Sequence, residues 1–176
     1  MAISPYGGRG APPVWDADGL SRLKTPTLFI VGDQDDVVGY APGVKSLFEG
    51  AVNASRYLLV FKDAGHSIGM DGAPPTMRSR LWDLDWFEDP VWRKERVVGV
   101  NLHMITAFLD LYVKGDASRA AYLDLVPDSN DGTWSRPAGA PYADVSPGGA
   151  VTLWKGFQQA HSAGLTFRHI EPGVRP

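Results

Sequence analysis

Two short runs of the chain are apolar without a break. Thr27-Leu28-Phe29-Ile30-Val31 follows Pro26, and Tyr57-Leu58-Leu59-Val60-Phe61 follows a polar turn. An unbroken run of this length predicts a strand buried on both faces, as in a parallel sheet; strict alternation would predict one wet face. Between the runs the period changes. Pro42 suits the first turn of a helix, and Val44, Leu47, Phe48 and Ala51 then share one face at helical spacing. Strand, helix and strand within about 35 residues form a βαβ unit with parallel strands and a right-handed crossover.

The rest of the chain is less regular. Met1-Ala2-Ile3 is a short apolar start, followed by SPYGGRGAPP, a loop by its glycines and prolines. Residues 69–80 hold too much Gly and Pro for a long helix. Asp89-Pro90 predicts an N-cap with Pro at the first helical position. Behind it Val98, Asn101, Ile105, Phe108 and Tyr112 recur at helical spacing, with Val97, Leu102 and Leu109, up to a stop at Lys114-Gly115. A shorter helix is expected around Arg119–Leu125. Residues 126–150 read as a long loop, and Val151–Phe157 and Leu165–Ile170 as short strands. The fold class is therefore α/β: a parallel sheet with flanking helices over residues 1–125, then a loop-rich extension over 126–176. No internal repeat is visible.

Composition narrows the function classes. The 176 residues suffice for a domain with a real core. A net charge of −3 with no basic stripe argues against nucleic acid as a partner. No apolar run approaches the roughly 18 residues of a membrane span, so no membrane partner is expected. No signal peptide stands at the start, which makes the cytoplasm the default location. The absence of cysteine removes disulfides, thiolate nucleophiles and cysteine metal sites.

Chemistry concentrates after the two apolar runs. In an open parallel sheet, functional groups gather at the carboxyl ends of the strands. Asp33, Asp35 and Asp36 follow the first run, and His66 follows the second. A carboxylate accepting from one imidazole nitrogen orients the ring and leaves the other nitrogen free to take a proton from a nucleophile. At least two of the three aspartates are expected to serve the turn itself, since Asp favours turns. The stretch DAGHSIGM also fits G-x-S-x-G, with Ser67 as nucleophile. That pattern works as a sharp turn from strand directly into helix. Here Lys62-Asp63-Ala64 separates Phe61 from Gly65, and Gly69, Gly72, Pro74 and Pro75 oppose a helix afterwards. His66 is thus the working residue and Ser67 a minor candidate. His103, His161 and His169 lack metal-ligand spacing, and no phosphate loop is present in SPYGGRG. The aromatics Trp82, Trp86, Phe87 and Trp92 read as packing residues before pocket residues.

LFIVGDQDDVV followed by YLLVFKDAGHS resembles the last third of an α/β-hydrolase, nearest to the dienelactone-hydrolase-like and acetylhydrolase-like esterases. The resemblance covers roughly residues 1–125, with NLHMITAFLDLYVKGD similar to the terminal helix of that fold. It implies that the catalytic acid stands three residues after Gly32, at Asp35, with Asp35 to Val38 matching D-x-V-V, and that His66 is the catalytic base. It implies a small-molecule carboxylic ester or lactone as substrate, with no cofactor and no metal.

The family places its nucleophile upstream of the acid. The serines before Asp35 are Ser4 and Ser21. Ser4 precedes Pro5, which has no N–H to offer an oxyanion, and Ser21 lacks flanking glycines. The expectation is an acid–base half of a hydrolase, with a Ser or Cys nucleophile on preceding strands and inactive alone. The alternative is a non-catalytic remnant serving as a binding or interaction module, through a complementary N-terminal half or self-association at an open sheet edge.

Overall fold

The computed structural model describes residues 1–8, 14–78, 86–134, 151–158 and 161–175. Four strands form one open sheet in the order β1-β2-β3-β4: Ala2–Ile3, Thr27–Gly32, Arg56–Phe61 and Leu165–Ile170. β1 runs parallel to β2 and β2 parallel to β3, in register from Thr27 opposite Arg56 to Gly32 opposite Phe61. β4 is antiparallel to β3. The sheet is thus α/β and mostly parallel, and its last strand corrects the expectation of a wholly parallel one.

The two apolar runs are strands because both of their faces are covered. Leu28, Ile30, Tyr57, Leu59 and Phe61 point into one core, shared with the long helix α3, Lys94–Tyr112. Phe29, Val31, Leu58 and Val60 point into a second core with Leu47 and Phe48 of α2, Ser46–Gly50. The alternation of pleated side chains splits one apolar run between two layers. A further short helix, α1, spans Ala17–Ser21. The β2–β3 crossover is not one regular helix: Tyr40–Lys45 forms a wider π-type turn around Pro42, and α2 comes directly after it.

Several expected elements differ. The buried face of α3 is Val97, Val100, Asn101, Met104, Ala107 and Phe108, while Val98, Leu102, Leu109 and Tyr112 are exposed. Of the expected face, Val97, Asn101 and Phe108 are buried and Ile105 packs on the core from its edge, while Val100, Met104 and Ala107 fill the rest of the buried stripe. Asp89-Pro90 does not cap α3, whose N-cap is Arg93. The Asp89 Oδ1 instead accepts from the Val91 and Trp92 N–H groups in a separate turn. The helix expected around Arg119–Leu125 is a 3₁₀ helix shifted towards the N-terminus, Ala117–Tyr122, and residues 123–125 leave it as irregular chain. Val151–Phe157 is not a strand. Its Trp154 plugs the α3-side core, donating from Nε1 to the Val126 carbonyl, and Gly156 turns at φ +88° beside the His103 ring. Trp92 is core as well, with its ring edge-on to Phe61, while Trp86 is exposed. Trp82, part of the glycine loop (9–13) and most of the long loop (135–150) lie outside the described residues.

The described residues beyond 126 are therefore not peripheral. β4, Leu165, Phe167 and Trp154 complete the core under α3. At the far end of β3 the fully buried Arg56 has no carboxylate partner among the described residues; it donates to the carbonyls of Ala54, Glu171 and Val174 and lies over the Phe48 ring. Replacing Trp154 by Ala is expected to destabilise the whole domain by about 3–5 kcal/mol, the usual cost of emptying a large buried aromatic site. Urea unfolding followed separately by Trp fluorescence and by far-UV circular dichroism checks this; a loss under about 1 kcal/mol, below that usual range, would show that the segment packs on a core already complete without it.

Candidate active site at the carboxyl ends of β2 and β3

The loops after β2 and β3 are joined rung by rung. Asp33 N–H donates to the Phe61 carbonyl at 3.1 Å and Gln34 N–H to the Ala64 carbonyl at 3.0 Å. The Asp33 Oδ1 accepts from Asp63 N–H at 2.7 Å, which holds Asp63 in the left-handed region at φ +59°. Gly32 permits this approach: a Cβ there would sit 2.2 Å from the Ala64 carbonyl oxygen. With the backbones fixed, Asp35, one residue beyond Gln34, meets His66, two residues beyond Ala64. In the tautomer this contact selects, His66 Nδ1–H donates to Asp35 Oδ2 at 2.9 Å.

The pair is asymmetric in exposure. The Asp35 side chain is 0% exposed and the His66 side chain 21%. The other carboxylate oxygen, Asp35 Oδ1, accepts from Val37 N–H and Val38 N–H, both at 3.0 Å. Burial alone would raise the Asp35 pKa. The Val38 N–H, the His66 ring and the neighbouring Ser4 hydroxyl outweigh burial and hold the carboxyl below its ordinary value of 3.8. The carboxylate is thus ionised and rotationally locked before any substrate arrives. Among the described residues, none hydrogen-bonds to His66 Nε2, so that nitrogen is free to exchange a proton.

His66 opens a 3₁₀ turn, His66–Gly69, and three groups outside the turn hold it. Gly65 N–H donates to Asp89 Oδ2 at 2.8 Å. Lys94 Nζ, in the first turn of α3, donates to the Ser67 carbonyl at 2.8 Å and the Met70 carbonyl at 3.1 Å. Asn101 Nδ2 donates to the Ile68 carbonyl at 3.0 Å. Burial pushes the Lys94 ammonium pKa down, opposed by Glu88, Asp89 and Asp71 around it. Lys94, Asn101 and Asp89 are parts of the site that the sequence reading does not include. A cation in the first turn of a helix opposes the helix dipole, and an amide on a buried helical face needs a partner; both are legible signals that something at the N-terminal half of α3 needs a donor.

The three aspartates separate by role. Asp35 meets His66, Asp33 pins the two loops, and Asp36 is exposed. Ser67 sits inside the 3₁₀ turn, 3% exposed, with its Oγ sealed and unpartnered. Ser21 closes α1 and donates its hydroxyl to the Asp18 carbonyl. Ser4 directly follows β1, with its backbone N–H on the Ile30 carbonyl at 2.8 Å. The other histidines lie elsewhere. His103 is wedged between Tyr122 and Phe157, near enough to the Lys155 carbonyl to hydrogen-bond, and His169 stacks on Tyr57 at the opposite end of β3. His161 lies beside α3, its carbonyl accepting from Arg96. No group of three or more metal-ligating side chains occurs among the described residues. No helix of the described residues is long and apolar enough to cross a membrane. No known family model matches the chain, and no curated protein matches it.

The depressed Asp35 pKa carries a pH signature. A group whose folded pKa lies below its unfolded one contributes stability that is present above the unfolded value, here about 3.8, and is lost as pH falls through the folded pKa. Acidification from about pH 5 to below 3.8 is therefore expected to lower the urea midpoint more in the parent than in Asp35→Asn. Equal slopes in the two proteins would remove Asp35 from the acid-sensitive groups. Gly32→Ala is expected to cost at least the roughly 1–3 kcal/mol typical of overpacking, because the obstructing atoms are backbone, and to disturb the His66 ring signals in NMR.

Proposed function

We propose that this chain is the acid–base half of an α/β-hydrolase-type enzyme acting on carboxylic esters or lactones. The observation that carries the reading is the buried, pre-ionised Asp35 held at 2.9 Å from His66 Nδ1 with Nε2 left free, at the carboxyl ends of adjacent parallel strands. In this reading His66 Nε2 removes the proton of a hydroxyl or thiol nucleophile as it attacks the ester carbonyl carbon. The imidazolium formed is stabilised by the Asp35 carboxylate. Collapse of the tetrahedral intermediate breaks the bond to the alcohol oxygen, which leaves with the proton from Nε2. A water, deprotonated at the same nitrogen, then hydrolyses the acyl-enzyme and regenerates the nucleophile.

The nucleophile and the oxyanion donors belong to polypeptide outside these residues. Ser67 Oγ is sealed inside its turn, Ser21 is committed to α1, and Ser4 is followed by a residue without an N–H. A second reading, a module that pairs with a complementary chain, is supported by a different observation. Among the described residues β1 is two residues long and pairs on one side, with β2, and Met1, Tyr6, Val14 and Trp15 are more than half exposed.

The isolated chain is expected to show no acylation burst with p-nitrophenyl acetate. Fusion to the upstream half of an α/β-hydrolase is expected to restore turnover. In that fusion Asp35→Asn should lower kcat on the order of 10⁴-fold, as loss of the orienting carboxylate does in hydrolytic triads. Asp36→Asn should change it less than threefold, and Ser67→Ala likewise. A burst from the isolated chain would reveal a nucleophile within it, and equal losses at Asp35 and Asp36 would sink the assignment of the acid. Monomeric behaviour in size-exclusion chromatography at high concentration would count against the pairing module.

A further inference from the structure

α3 contains a glycine that its own packing does not require. Gly99 stands exposed in the second turn, and a Cβ there would meet nothing within 4 Å. A glycine inside a helix costs stability relative to alanine. What the missing side chain leaves is open space, and that space is the floor of a cleft. The cleft, of about 750 Å³, lies between α3 and the chain around Gly156, Phe157 and His161. Its volume falls in the range of small-molecule sites, roughly 300–1,000 Å³. None of its described lining residues belongs to the Asp35–His66 site.

Both walls are held by contacts of their own. The α3 wall is one stripe at helical spacing: Arg93 at the N-cap, then Arg96, Gly99 with Val100, and His103. The opposite wall is tied to it twice. The Arg96 guanidinium donates to the His161 and Ala163 carbonyls and lies over the Trp92 ring, 4.2 Å from its centroid. The His103 ring stands edge-on to Phe157 at 4.8 Å, with Nε2 3.1 Å from the Lys155 carbonyl oxygen. Gly156 makes room for that ring, since a Cβ there would lie 2.3 Å from His103 Cε1. Burial lowers the His103 pKa, so the ring is a neutral surface.

The charges of the cleft are uncompensated. The Arg93 guanidinium has no hydrogen bond or ion pair among the described residues. Arg96 spends Nε and Nη2 on carbonyls, which leaves Nη1 without a partner there and the charge without a carboxylate. Glu95 is the one carboxylate of the described lining, against these two guanidiniums. A guanidinium fork matches a carboxylate in two parallel hydrogen bonds. The rest of the surface, Val100, Phe157 and the His103 ring, is apolar or neutral. We infer that this cleft is a binding site for a small organic carboxylate: its anionic head meets Arg93 and Arg96, and its apolar body lies over Gly99 against Val100, Phe157 and His103. The site is separate from the Asp35–His66 pair and stands or falls independently of the hydrolase reading.

The test titrates benzoate, benzyl alcohol and acetate into the full ¹⁵N-labelled chain while the Gly99 and Gly156 amide signals are followed by NMR. Benzoate is expected to shift both signals along one saturating curve. Benzyl alcohol lacks the charge and acetate the apolar body, so each is expected to bind at least about tenfold more weakly. Arg93→Gln is expected to weaken benzoate by about tenfold as well, the effect of losing one charge-assisted hydrogen bond. Gly99→Leu puts a good helix former at an exposed position and fills the floor; it is expected to abolish the benzoate shift at Gly156. Both substitutions are at exposed positions, so the fold is retained, and the remaining amide signals check this. Benzyl alcohol binding as tightly as benzoate would overturn the anion recognition. Benzoate shifts that never saturate, or that persist unchanged in Gly99→Leu, would overturn the site itself.

Discussion

The contact on which the site depends is a backbone one, the closure of the β3 loop over Gly32. A hydrogen in place of a side chain lets the Ala64 carbonyl approach the end of β2, and the two N–H···O bonds from Asp33 and Gln34 then lock the loops together. Everything polar at the site depends on that spacing. Asp33 is spent on the Asp63 N–H, which turns the chain so that His66 faces Asp35. The side-chain pair is the last rung of a ladder whose earlier rungs are main chain. Such rungs lose little entropy when formed, because the strands have already fixed most of the torsions involved.

A second layer of support comes from α3. Lys94 and Asn101 stand seven residues apart, two turns along one face, and between them hold three carbonyls of the segment from Ser67 to Met70. The Ser67 carbonyl already closes the 3₁₀ turn by accepting from Met70 N–H, and the helix adds donors from outside to it and to the carbonyls of Ile68 and Met70. Core packing and site geometry are therefore coupled: the same face that buries Val97, Val100 and Met104 also sets the position of the imidazole.

The sequence is most legible where burial is two-sided. Both central strands and their parallel order are written in unbroken apolar runs, and the meeting of an acid with His66 in the placing of one group after each strand. The choice of Asp35 over Asp33 and Asp36 is not legible from periodicity; it rests on a resemblance, and it depends physically on which residue the main-chain rungs leave facing the ring. Helical spacing finds the α3 face in part: Val97, Asn101 and Phe108 are buried as expected, whereas Val98, Leu102, Leu109 and Tyr112 are exposed and Val100, Met104 and Ala107 take the remaining buried positions. Trp154 reads as part of a strand because an apolar run alone does not distinguish pairing from plugging.

The antiparallel β4 has a consequence for how the chain is made. Arg56 pairs with Ile170 and Phe61 with Leu165, partners more than a hundred residues apart. During synthesis the outer edge of β3, apolar on both faces, stays without its neighbour until nearly all of this sequence has emerged. Contacts of such separation close slowly, and an unpaired strand edge is a template for other chains in the meantime. The protein is thus most vulnerable to misassembly while it is still nascent, and a chaperone that shields β3 during that interval would raise its yield more than one acting on the finished fold.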